Sequence, residues 1–149
     1  EWVFAPGGMG VFDPGINALS IITEILPIPM HLRAVELLFP SNCDTPIAAQ
    51  MQWTQNVSGD FDWRQAGPQI WDLEVHTPDG VLTLRDGGAR LLIDGSAVEA
   101  GEDREYPALY DHMAKLVKTG ASDIDLAPMI HVADALTLGR RVTTDPFHF

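Results

Sequence analysis

Asp13-Pro14-Gly15-Ile16-Asn17-Ala18-Leu19-Ser20-Ile21-Ile22-Thr23-Glu24-Ile25-Leu26-Pro27 reads as a helix with a sharp start and little polar surface. Asp13 is of a type that caps helix N-termini, and Pro14 suits a first turn whose N–H would lack a partner anyway. The helix is expected from Gly15 to about Leu26, with Pro27 and Pro29 as its stop. Ile16, Ala18, Leu19, Ile21, Ile22, Ile25 and Leu26 make it apolar on most sides, the mark of a helix packed into a core. Asp13, Asn17, Ser20 and Glu24 interrupt that pattern at i, i+4, i+7 and i+11, so they form one stripe down the helix. A core helix with one polar edge faces something other than core along that edge.

Downstream of this helix the period changes from 3.6 to 2. Met30 to Phe39 alternates irregularly and ends at Pro40. Ile47 to Gln55 sets Ala49, Met51 and Trp53 on one face against Gln50, Gln52 and Thr54 on the other. Val57 to Trp63 opposes Phe61 and Trp63 to Asp60, Asp62 and Arg64. Gln69 to Thr77 opposes Trp71, Leu73 and Val75 to Asp72, Glu74 and His76. Pro78-Asp79-Gly80 turns the chain into Val81 to Arg85, Asp86-Gly87-Gly88 into Ala89 to Ile93, and Asp94-Gly95 ends that run. Two helices follow. Tyr106 to Thr119 carries Leu109, Met113, Leu116 and Val117 on one face before the C-capping Gly120. A third helix starts near Asp125 with Pro128 in its first turn, presents Met129, Ile130, Ala133 and Leu136, and stops at Gly139 before Arg140 and Arg141. The tail from Val142 to Phe149 is expected to be extended. This order predicts an α+β fold: an open, mainly antiparallel sheet with helices packed on one face, in two layers. With no linker or repeat, residues 1–149 are expected to form a single domain.

The chain has 149 residues, 46% of them hydrophobic and 20% charged, enough apolar material for a core. A formal net charge of −12 opposes phosphate backbones and anionic lipid, so neither nucleic acid nor a membrane is an expected partner, whereas a neutral small molecule is acceptable. No apolar run reaches the roughly 18 residues of a membrane span. Glu1-Trp2-Val3-Phe4 lacks the basic start of a signal peptide and an initiator Met, so translation is expected to begin upstream. Cys43, the one cysteine, excludes an internal disulfide and a thiolate cluster and fits a reducing cytoplasm. His31, His76, His112, His131 and His148 have no zinc-motif spacing, so no metal site is expected.

Pro6-Gly7-Gly8-Met9-Gly10-Val11-Phe12-Asp13 invites comparison with a dinucleotide loop. Gly8 and Gly10 fit the G-x-G-x-x-G pattern, but Asp13 takes the place of the third glycine and would set a negative charge against a pyrophosphate. A loop entering a buried helix explains the glycines better. Asp13 and Asn17 lie one turn apart and combine a proton acceptor with an amide that donates and accepts, which suits a hydroxylated substrate. From spacing alone, N-capping accounts for Asp13 and a satisfied core amide for Asn17. Trp53, Trp63 and Trp71 could stack on a sugar, but sheet core is the commoner use of such rings. His131 with Asp134 reads as a surface or capping pair, and Glu99, Glu102, Asp103 and Glu105 as a solvated loop.

Gly7-Gly8-Met9-Gly10-Val11-Phe12-Asp13-Pro14-Gly15-Ile16-Asn17-Ala18-Leu19-Ser20 resembles the opening of the C-terminal domain in the glucose–fructose oxidoreductase and inositol dehydrogenase (Gfo/Idh/MocA) family. The Asp-Pro-Gly-Ile-Asn form is similar to its branch of bacterial D-galactose and L-arabinose 1-dehydrogenases. Ala127-Pro128-Met129-Ile130-His131-Val132-Ala133-Asp134-Ala135-Leu136 with Gly139-Arg140-Arg141 resembles the family's closing helix, so the likeness spans nearly the whole chain. Asn17 replaces the histidine of most members, and Ser20 the aspartate of many.

The resemblance implies the substrate-binding and dimerisation half of an NAD(P)-dependent aldose 1-dehydrogenase, inactive alone, with the Rossmann half and its catalytic lysine absent from this chain. It implies Asp13 as base, Asn17 as the group orienting the sugar, and Ser20 as a further substrate contact. NAD or NADP would be bound by the absent half, the substrate would be a sugar, and two copies would pair through the sheet. The reading from another class is a non-catalytic sugar-binding or oligomerisation module on the same fold.

Overall fold

Residues 2–99, 101–102 and 104–148 are described by the structure, a computed structural model. In chain order the elements are α1 (Phe12–Ile25), β1 (Leu32–Pro40), β2 (Ala48–Trp53), β3 (Ser58–Asp62), β4 (Leu73–Thr77), β5 (Gly80–Arg85), β6 (Arg90–Ile93), β7 (Ser96–Val98), α2 (Glu105–Thr119), α3 (Ala127–Leu138) and β8 (Arg140–Thr144). Two compact units divide the chain: Glu1–Ala66 with Leu126–Phe149, and Gly67–Asp125 between them in sequence.

The first unit holds a four-stranded sheet in the order β3-β2-β1-β8. β1–β2 and β2–β3 are antiparallel, and β8 joins β1 in parallel with Glu36 opposite Arg140. The alternation read from Ile47 to Gln55 is what builds the core here. Ala49, Met51 and Trp53 are buried on the face they share with Leu37 and Phe39 of β1. Against that face lie Phe12 and Leu19 of α1 and Val132 and Ala135 of α3, all in one cluster. Both helices therefore cover one side of the sheet, as expected. Thr54 is not on the strand with Gln50 and Gln52. It lies in the 3-10 turn Thr54–Asn56, where its hydroxyl accepts from the His31 N–H at 3.0 Å.

The second unit is an antiparallel meander in the order β4-β5-β6-β7, with α2 following it in sequence. The fold is α+β and mainly antiparallel, but its strands are shared between two sheets. Ladder pairing lapses between Asp62 and Leu73, where Ala66-Gly67-Pro68 falls. β7 extends the meander beyond Asp94-Gly95, which is a hairpin turn with both residues at positive φ and not the end of the sheet. Of the acidic residues after β7, Glu102 and Glu105 are exposed, and Asp103 lies outside the described residues.

One helix face is largely turned from expectation. α3 buries Pro128, His131, Val132 and Ala135 and leaves Met129, Ile130 and Ala133 exposed, while Leu136 is half-buried against the core. Its sequence is apolar on nearly every side, so the periodicity had little contrast with which to orient it. No described helix is long and apolar enough to cross a membrane.

Candidate functional site

The helix that carries Asp13 begins earlier than its sequence signals imply. Val11 occupies the N-cap position with no side-chain cap hydrogen bond, and Asp13 lies inside the first turn. Asp13 is therefore not the cap. The backbone of the preceding turn does that work. The Val11 N–H donates to the Pro46 carbonyl at 2.8 Å, Phe12 to Met9 at 3.2 Å, and Asp13 to Gly10 at 3.1 Å, while Pro14 has no N–H to satisfy. Gly10 makes this possible at φ +59°, and a Cβ there would stand 2.2 Å from the Pro46 oxygen. Gly8 is pressed in the same way against the Val3 carbonyl, and Gly15 against the Phe61 ring. Close packing thus accounts for Gly8, Gly10 and Gly15, and a positive φ of +86° for Gly7.

With the cap supplied by backbone, the Asp13 carboxylate is left for other uses. It is half-buried at the positive end of α1, and no described residue hydrogen-bonds to it. Asn17, one turn on, is exposed, as are Ser20 and Glu24. The stripe read from the sequence is therefore an open polar edge on the side of α1 opposite Phe12, Gly15 and Leu19, and Asn17 is not a core amide. A proton acceptor, an amide and a hydroxyl at this spacing can address adjacent hydroxyls of one small ligand.

A separate depression of about 620 Å³ opens on the first sheet, among Glu36, Gln50, Gln52, Ser58, Asp60 and Arg140. Asp13, Asn17 and Ser20 do not line it. Glu36 and Arg140, directly opposite in register, form an ion pair there.

His131 and Asp134 are not a surface pair. His131 is buried, and its Nδ1 accepts from the Trp53 indole N–H at 3.2 Å, with the rings edge to face at 5.9 Å. Burial holds the imidazole below its ordinary pKa. Asp134 pulls it upward and His31 presses it down. Nothing in the spacing of residues 78 apart signals this contact. Trp53 is core, Trp71 is half-buried, and Trp2 and Trp63 are exposed. Thr45, in the loop that supplies the Pro46 carbonyl, has a buried hydroxyl without a partner among the described residues. No cluster of three or more potential metal ligands occurs among the described residues.

No family model matches the chain. It is 40% identical over 151 residues to galactose 1-dehydrogenase of Pseudomonas fluorescens, a match covering 99% of this chain and 49% of that protein. Among solved structures, D-galactose-1-dehydrogenase from Rhizobium etli superposes with a TM-score of 0.91 at 47% identity, over 99% of this chain and 48% of the other. A mutant 3-ketoreductase from Actinomadura kijaniata, in complex with TDP-benzene and NADP, matches with a TM-score of 0.71 at 14% identity, over 92% of this chain and 50% of that one. At that identity it shares the fold alone. The chain spans about half the length of the curated relatives it matches. Along that half, and over 99% of its own length, it is a homologue of galactose 1-dehydrogenase.

Proposed function

We propose that this chain is the substrate-binding half of an NAD(P)-dependent aldose 1-dehydrogenase of the Gfo/Idh/MocA family, which converts D-galactose or L-arabinose to the lactone. The observation that carries the reading is the identity of 40% and 47% to two galactose 1-dehydrogenases across 99% of the chain. The open stripe on α1 supports the site. Asp13 accepts the proton of the anomeric hydroxyl as its carbonyl forms, and Asn17 holds a neighbouring hydroxyl through its amide, with Ser20 as a further contact. NAD or NADP, when bound, would supply the hydride acceptor for the anomeric carbon. The residues present fit the proton side of this reaction and not the dinucleotide. Gly8 and Gly10 are spent on packing against Val3 and Pro46, so the reading places NAD or NADP on residues outside this chain and leaves this half inactive alone.

Asp13→Asn in the complete enzyme is the decisive variant. Turnover should fall by about 10²- to 10⁴-fold with little change in the apparent constant for the sugar. The unfolding midpoint should hold, because backbone and not Asp13 caps α1. Asn17→Ala should lower turnover and also weaken sugar binding. Near-normal turnover of Asp13→Asn across the pH range would move the base elsewhere. Failure of the parent enzyme to oxidise any aldose would sink the reading.

The same reading includes a homo-oligomer in a reducing cytoplasm, paired through the open face of the first sheet. Glu36, Gln50, Gln52, Ser58, Asp60 and Arg140 give that face both signs of charge and neutral hydrogen-bonding groups, which a two-fold axis can match to themselves. A one-chain mass by light scattering at high concentration would overturn this part.

A further inference from the structure

The loop between β1 and β2, residues 41–46, ends at the carbonyl that accepts the Val11 N–H at 2.8 Å and stands over Gly10. Val11 is two residues from Asp13, so a shift of this loop is a shift of the carboxylate. Thr45 and Pro46 are buried, whereas Ser41, Asn42 and Asp44 are exposed. The Thr45 hydroxyl has no partner among the described residues. Burying such a group is unfavourable, so a loop that does so is held in place by contacts elsewhere. Two of these are backbone bonds. The Ser41 N–H donates to the Thr144 carbonyl at 3.0 Å, and the Cys43 N–H to the Pro40 carbonyl at 2.9 Å. The third contact is a side chain. Asn42 Nδ2 donates to the Phe147 carbonyl at 2.8 Å, and Asn42 Oδ1 accepts from the Phe147 N–H at 2.9 Å. A side-chain amide that exchanges both bonds with one residue takes the place of a strand neighbour. Here it fastens the loop to a residue 105 positions away, beyond β8. The Phe147 ring packs against the cluster of Val3, Phe4, Ile47 and Ala48, so the far end of the latch is itself seated.

We propose that Asn42 is a positioning residue for the Asp13 carboxylate: it latches residues 41–46 to Phe147 and so fixes the Pro46 carbonyl from which the first turn of α1 hangs. The inference rests on the dehydrogenase reading, in which Asp13 is the base, and adds a residue to that site. Asn42 acts through backbone and not on the sugar. Its amide holds the loop, the loop presents the Pro46 carbonyl, and that carbonyl sets where Val11 and then Asp13 stand. A base works only within hydrogen-bond reach of its proton, and a misplacement of about 1 Å can cost on the order of 10²-fold in rate. The latch consists of two exposed hydrogen bonds, each of modest net worth. Its loss therefore lets the loop leave its place for part of the time and does not free it altogether. The expected cost is accordingly smaller, about three- to ten-fold in turnover.

The test joins kinetics of the complete enzyme to its hydrogen exchange. Asn42→Ala should lower turnover by about three- to ten-fold and change the apparent constant for galactose by less than about two-fold, because Asn17 and Ser20 keep their places. In an Asp13→Asn background the same substitution should lower the residual turnover by less than about two-fold, since the group it positions is already gone. Unchanged turnover in Asn42→Ala overturns the proposal. Equal losses in the two backgrounds also overturn it, by assigning Asn42 to general stability. The second measurement needs no activity. Exchange of the amides of residues 11–13 should quicken by at least about five-fold in Asn42→Ala, while those of β5, in the other unit, keep the parent rate. Unchanged exchange at residues 11–13 overturns the latch whatever the kinetics. A parent protein that oxidises no aldose sinks the dehydrogenase reading instead, and the exchange rates then decide the latch by themselves.

Discussion

The two units use equally clean alternation for different ends. In the first, Ala49, Met51 and Trp53 alternate with Gln50 and Gln52, and each apolar member is sealed beneath α1 and α3. In the second, Leu73 and Val75 alternate with Glu74 and His76 just as plainly, yet Leu73 is the one buried hydrophobic residue among those described. α2 buries none of its residues, although Tyr106, Leu109, Tyr110, Met113 and Val117 recur at helical spacing. Periodicity reports which side of an element is apolar. It does not report what lies against that side.

The widest gap between the units should appear under truncation. Leu37, fully buried between the sheet and its helices, should lose about 2–5 kcal/mol as Leu37→Ala, since its neighbours cannot collapse into the space. Leu109→Ala, on the open face of α2, should change stability by no more than about 0.5 kcal/mol. Urea unfolding of both variants checks the pair. A Leu109→Ala loss approaching that of Leu37→Ala would break the comparison, by revealing a cover over α2.

A smaller effect, confined to the first unit, is expected from pH. The Trp53 N–H donates to His131 Nδ1, so that nitrogen carries no proton in the folded state. Burial lowers the folded pKa below the ordinary 6.5, so the unfolded chain binds the proton more readily. The contribution of neutral His131 is therefore complete above about pH 6.5 and is lost as pH falls through the depressed value. His131→Gln keeps an acceptor for Trp53 and cannot titrate. Its unfolding midpoint should decline less than that of the parent between about pH 7 and pH 5. Parallel acid limbs in the two proteins would assign the pH dependence to other groups.

Much of the architecture was legible because short-range chemistry decides it. Gly120, at φ +64°, ends α2 where the sequence placed the C-cap, and Pro78-Asp79-Gly80 turns β4 into β5. The polar stripe on α1 was legible for the same reason, since i, i+4 spacing fixes a face wherever the helix begins. The helix start was not. Asp13 looked like a cap because the amides it would serve are satisfied by carbonyls of a turn that no capping rule describes. β7 escaped because three residues carry too little alternation to register. The Trp53–His131 bond escaped because it joins distant elements through two side chains, each of which has a commoner use. Whether Asp13 accepts a proton is a question about a ligand and a second domain, and spacing within one helix cannot answer it.

The parallel ladder between β1 and β8 has a consequence in time. Glu36 and Arg140, which sit opposite each other, are 104 residues apart, and all of the second unit is made between them. At about 5–20 residues per second, a ribosome finishes β1 roughly 5–20 s before β8 exists. Through that interval the nascent first sheet has one of its inner strands as an edge, with open N–H and C=O groups and a row of aliphatic side chains. The intervening meander is built from neighbouring hairpins and can close as it emerges. During synthesis, then, the unit with the better-buried core is the last to be completed, and a nascent-chain chaperone would find its substrate along β1.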